Sequence, residues 1–151
     1  MLLLGDALPW VDEIRYLGIF IVSTRYFKCS LDHAKRAFYR ASNAIFGKIG
    51  RIASEEVILE LIVKKCLPAL LYGLEACVLN RTEEKSLNFP CTRFLMKLFR
   101  TGNNDVINEI RGFFNFAEPS VLLQKRKDNF LRKLSMCENL LCKVCTTLAR
   151  T

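Results

Sequence analysis

Histidine is almost missing from this sequence, with His33 the single copy in 151 residues. Lys35 and Arg36 stand beside it, and no serine or cysteine lies at motif spacing, so it does not read as a catalytic base. The same scarcity weakens any zinc site. Cys137, Cys142 and Cys145 form a C-x4-C-x2-C cluster, but a tetrahedral site wants four ligands and no Cys or His follows Cys145. No metal is expected there.

Glycine-rich phosphate loops of the G-x-x-x-x-G-K-[ST] or G-x-G-x-x-G kind do not occur; Gly47-Lys48-Ile49-Gly50 reads as a helix terminus instead. Long apolar runs are lacking too. The longest, Cys66 to Leu74, is about half a bilayer span and contains Pro68 and Gly73. Met1 to Leu4 is too short for a signal core and is broken by Gly5-Asp6. The seven cysteines are odd in number and spread through apolar stretches, unlike a secreted disulfide scaffold. The expectation is an intracellular protein of nucleus or cytoplasm with reduced cysteines, no membrane contact, no cofactor and no small-molecule substrate.

What the chain does have is apolar content, 51%, and positive charge, +8 at neutral pH. The first is enough for one buried core and excludes a disordered polyelectrolyte. The second favours a polyanionic partner. The charge is concentrated: residues 31–53 hold five bases against one acid, and residues 120–151 seven against two.

Periodicity sketches a mainly α-helical chain with a short N-terminal β hairpin. Leu2 to Leu4, Trp10-Val11 and Ile14 to Val22 are short apolar or alternating runs, and Ile19, Phe20, Ile21 and Val22 favour a strand, so the first 22 residues read as a small β element. Ser30 is a suitable N-cap, and Leu31, Ala34, Phe38, Ala41, Ile45 and Ile49 recur at helical steps up to Gly50. Ser54 starts a second helix with Glu55 and Glu56 in its first turn; it is expected to kink or restart at Pro68 and run on to about Asn80. Thr82 with Glu83 and Glu84 repeats the start signal, with Pro90 interrupting that helix or opening a new one before Gly102. A shorter helix is expected from about Asp105 to Phe114. From Ser120 to about Leu148 a single helix is expected, with Leu123, Phe130, Leu134, Cys137 and Leu141 on one stripe and basic residues opposite.

Two short segments carry a family signal: Tyr16-Leu17-Gly18 followed by Ile19-Phe20-Ile21, and, about fifty residues on, Leu67-Pro68-Ala69-Leu70-Leu71-Tyr72-Gly73-Leu74-Glu75. In this order they resemble the palm end and thumb of the reverse transcriptase of non-LTR (LINE-type) retrotransposons. The first resembles a strand that closes the palm, with Leu4 to Glu13 resembling the hairpin leading into it. The second resembles an apolar helix with a Tyr-Gly-x-Glu ending, although Cys77 stands where the family often has tryptophan. Glu118-Pro119-Ser120 and the basic residues after it resemble a later helix of the family.

The resemblance implies a palm-end β element over 1–29, a thumb-like helical bundle over 30–118 and a basic C-terminal helix over 119–151. It implies backbone contacts to RNA or an RNA/DNA duplex, through Lys35, Arg36, Arg40, Lys48 and Arg51 and through Lys125, Arg126, Lys127, Arg132 and Lys133. A separate polymerase palm is a further possible partner. It does not imply catalysis. Nucleotidyl transfer needs carboxylates converging on divalent cations, and the family's aromatic-x-Asp-Asp turn has no counterpart here; in the family pattern it lies upstream of Met1. Of the acidic pairs Asp12-Glu13, Glu55-Glu56 and Glu83-Glu84, the last two are explained by helix starts. The expectation is a non-catalytic, truncated remnant that binds a polyanion. A small helical interaction module, or a remnant without selected function, are the competing readings.

Overall fold

The computed structural model of the chain describes residues 2–3, 6–7, 9–25, 28–77 and 79–139. It is mainly helical, and among the described residues β structure is confined to the N-terminal part. Strands β1 (Leu2–Leu3) and β2 (Asp6–Ala7) pair antiparallel, and β3 (Glu13–Tyr16) pairs antiparallel with β4 (Ile19–Val22). Between β3 and β4 the chain turns through Leu17 at φ 47° and Gly18 at φ 87°. Two successive left-handed residues make the two-residue turn whose twist matches the flanking strands. This corrects the expectation of a strand running through Tyr16-Leu17-Gly18: the motif is the hairpin's tip. Beyond β4 the chain folds back along its outer edge, where Val22 N–H donates to the Lys28 carbonyl (3.0 Å), Ser30 N–H to the Phe20 carbonyl (2.8 Å), and Cys29 bridges Ile21.

Helix α1 (Leu31–Ile49) matches the helix expected from its spacing. Ser30 is extended at its N-cap without a side-chain bond, and Gly50 N–H closes the last turn on Phe46. Phe38 is fully buried, and Ala34, Ala41, Ile45 and Ile49 pack against the core.

Helix α2 (Glu55–Leu61) begins after Ser54 and widens into a π turn at Ile62–Cys66 before α3 (Leu67–Leu70). Pro68 cannot donate to the carbonyl one turn back and its ring crowds it. The ladder accommodates this one turn ahead of the proline, with Leu67 N–H reaching five residues back to the Ile62 carbonyl. The helix does not run on to Asn80 as expected. It ends at Leu70, because Gly73 adopts φ 73° and only a 3-10 turn, Leu74–Ala76, follows.

Helix α4 (Arg81–Leu98) has its N-cap two residues before the expected Thr82. Asn80 is the N-cap, its Oδ1 accepting from Glu83 N–H while Glu83 Oε2 accepts from Asn80 N–H, a reciprocal capping box. Pro90 lies buried inside α4 without ending it. Helix α5 (Asn104–Phe113) follows, then α6 (Pro119–Met136). The single helix expected from Ser120 to about Leu148 therefore stops at Met136, with Cys137 extended; the part of that expectation over residues 140–148 lies outside the described residues. Only the first turns of α6 are seated. Leu123 is buried and Leu134 half-buried, whereas Phe130 is 37% and Met136 77% exposed and Cys137 is exposed; Leu141 of the expected stripe lies outside the described residues.

The core gathers Phe38 from α1, Ile62 from the π turn, Leu70, Leu71 and Leu74 around the Tyr-Gly segment, and Leu87 and Leu95 from α4. Cys29 and Cys77 are both buried and stand at disulfide-bonding distance, their Cα atoms 6.5 Å apart across 48 residues. The expectation of seven reduced cysteines is corrected at this pair: burial beside apolar neighbours marked both as small hydrophobes, and only the fold brings them together. Among the described residues no helix is long and apolar enough to cross a membrane.

Candidate nucleic-acid interface

The two motif segments, far apart in the chain, meet in space. A Cβ built on Gly73 would stand 2.6 Å from Ile19 Cγ2, and one built on Gly18 would stand 3.5 Å from the Tyr72 ring. The hairpin tip therefore rests directly on the backbone that follows α3. Gly73 meets two requirements at once, its left-handed φ and the absence of a side chain against Ile19. Cys77, at the end of the second segment, ties that segment to Cys29 between the hairpin and α1. Of the other motif residues, Leu67 is buried, Pro68 and Tyr72 are exposed, and Glu75 is half-buried with Oε2 lacking a hydrogen-bond partner.

Behind this junction the hairpin, α1 and the segment after α3 enclose a cleft of about 370 Å³, lined among others by Arg15, Phe20, His33, Arg40 and Tyr72. Phe20 and His33 stack with ring centroids 3.6 Å apart and planes 7° from parallel. His33 Nε2 lies 2.9 Å from Glu13 Oε1, and the Arg15 guanidinium sits 5.8 Å over Phe20. Two guanidinium groups and a tyrosine ring on one open cleft suit a phosphate-bearing, ring-bearing ligand. Arg15 was not among the residues singled out from sequence, and Tyr72 was singled out there only as a motif residue. The alternation that puts Arg15 on the Phe20 face becomes visible only once the hairpin tip is placed at Leu17-Gly18.

The expected basic residues divide. Arg36 and Arg40 are exposed on the solvent side of α1, one turn apart. Lys48 and Arg51 are exposed farther along, toward and beyond its C-terminal end. Lys35 does not belong with them. It is half-buried, its Nζ donates to Ser86 Oγ on α4, and Asp32 lies 3.8 Å away, so it ties two helices together. On α6, Lys125, Arg132 and Lys133 are exposed, while Arg126 and Lys127 are half-buried; Arg132 donates to Asn129 Oδ1 at 3.0 Å. The α6 residues ride on a helix seated against α4 and the 3-10 turn, apart from the cleft.

Some charged groups serve packing. Burial and a hydrogen bond from Lys28 compete at Glu83; the bond from Lys28, with that of the Asn80 backbone, holds its carboxyl below the usual range. Arg111 donates to Glu118 Oε1 and, at 2.7 Å, to Thr92 Oγ1, joining α5, α6 and α4. Burial pushes the Cys91 thiol up to about 12 and raises that of Cys66, so neither is a ready nucleophile. Among the described residues no three His, Cys, Asp or Glu side chains converge as metal ligands; Cys142 and Cys145 lie outside them. No family model, curated protein or solved structure matches this chain.

Proposed function

We propose that this chain is the palm-end and thumb-like portion of a reverse transcriptase of the non-LTR retrotransposon type, and that it grips an RNA or RNA/DNA backbone without carrying out nucleotidyl transfer. The observation that carries this reading is the contact between its two motif segments, Gly73 against Ile19 and Gly18 against Tyr72. Two segments about fifty residues apart that resemble neighbouring parts of one family also pack together here, which supports reading them as one unit. The exposed guanidinium groups of Arg36 and Arg40 on the open side of α1 support the proposal, since such groups can meet phosphates. Such contacts position a strand and read no sequence. The working compartment is intracellular, nucleus or cytoplasm, where RNA is at hand.

Fluorescence anisotropy with a labelled RNA/DNA hybrid tests this. Affinity should be nearly independent of sequence and fall by about a hundredfold between 50 and 200 mM salt, as counterion release from several phosphates requires. No binding at the lower salt, or binding indifferent to salt, would sink the reading. Primer extension with Mg²⁺ or Mn²⁺ should give no incorporation.

A further inference from the structure

Among the described residues the β3–β4 sheet has one covered and one open edge. On β4 the outward-pointing Phe20 carbonyl and Val22 N–H are taken up by the 28–30 segment. Their cross-strand partners on β3 are Arg15 and Glu13. In an antiparallel ladder the two members of such a pair both aim their backbone groups away from each other. The N–H and C=O groups of Glu13 and Arg15 therefore point out of the sheet, and among the described residues no strand pairs with them. All four β3 residues are exposed, and the flanking Trp10 is 95%, Leu17 73% and Ile14 57% exposed. A single hairpin is marginal in water, and an open apolar edge invites a further strand.

We propose that this edge pairs with the same edge of a second copy, β3 against β3 about a two-fold axis. Backbone direction limits the choice of register, because only Glu13 and Arg15 offer outward groups. Pairing Glu13 with Glu13 or Arg15 with Arg15 places like charges opposite each other, which is unfavourable. Pairing Glu13 with Arg15 places opposite charges together twice, centres Ile14 on Ile14, and sets Val11 across from Leu17. Charge complementarity thus selects one self-consistent register out of three. The product is a closed four-stranded sheet in the order β4, β3, β3, β4. It does not propagate, because the outer edge of each β4 is already occupied. The edge is short, so the dimer should be weak, with dissociation in the micromolar range.

Sedimentation velocity on the full chain, free of nucleic acid and from about 1 to 100 µM, gives the test. The wild-type chain should shift from monomer to dimer. Glu13→Arg should remain monomeric at every concentration, since it opposes arginine to arginine. The double variant Glu13→Arg with Arg15→Glu should recover the dimer, because the swapped charges still face each other. Far-UV circular dichroism checks that each variant keeps its helical fold, and Arg15→Pro gives a second probe: it removes an outward N–H without touching the β3–β4 ladder, and should also abolish dimerisation. A wild-type chain monomeric throughout, a dimer that survives Glu13→Arg, a double variant that does not recover it, or open-ended assembly would each overturn the proposal.

Discussion

Gly73 is the residue on which the junction of the two motif segments turns. Its φ of 73° is a conformation that side-chain-bearing residues rarely adopt, and Ile19 occupies the space a Cβ would need. Gly73→Ala should therefore cost about 2–3 kcal/mol, combining backbone strain with overpacking against a β-branched side chain. Gly47 provides the control. It sits within α1 with nothing within 4 Å of a built Cβ, so Gly47→Ala should stabilise by about 0.5–1 kcal/mol through the lost freedom of the unfolded chain. Urea unfolding of the two variants should move the midpoint in opposite directions. Equal shifts would mean that the hairpin does not rest on Gly73.

At the scale of elements, the start of α4 couples a cap to a pH response. Glu83 closes the capping box with Asn80 and pairs with Lys28 from the segment along β4. Because these bonds depress its folded-state pKa, the stability it contributes is full above the ordinary carboxylate range and is lost as pH falls through that lowered value. Glu83→Gln should cost about 1 kcal/mol near neutral pH and less as the solution becomes acidic, so chemical unfolding at pH 7 and in the acid range should converge for variant and wild type. The capping box also shows what could and could not be seen in the sequence. Helix α1 was readable to its ends because one buried stripe and a Ser30–Gly50 frame agree. The start of α4 was misplaced at Thr82, since Thr82 and Asn80 are both good caps and only the reciprocal bonds choose between them. The end of α3 was missed because Leu71, Leu74 and Val78 continue a helical pattern that Gly73 interrupts; those leucines are buried by the fold around the turn and not by a helix face. In the candidate site, the exposure of Arg36 and Arg40 was readable because both lie off the α1 stripe. The bond of Lys35 to Ser86 could not be read from sequence, its partner being 51 residues away.

Two long-range features act on the whole molecule, the Cys29–Cys77 pair and the distribution of cations. A bond closing 48 residues restricts the unfolded chain by an amount worth up to about 4 kcal/mol in the chain-entropy account. Reduction should accordingly lower the urea midpoint substantially; identical midpoints with and without dithiothreitol would show that the two thiols are neighbours and not bonded. The cations separate stability from binding. Arg36→Ala with Arg40→Ala removes exposed charges, and should leave the unfolding midpoint within about 0.5 kcal/mol of wild type. It should also weaken binding of an RNA/DNA hybrid and flatten the log–log salt dependence by about one unit per lost phosphate contact. Lys35→Met should do the reverse, lowering stability by loosening the α1–α4 junction while keeping the salt slope. A common slope for both variants would mean that α1 does not face the polyanion, and the basic residues of α6 would then be the ones to carry it.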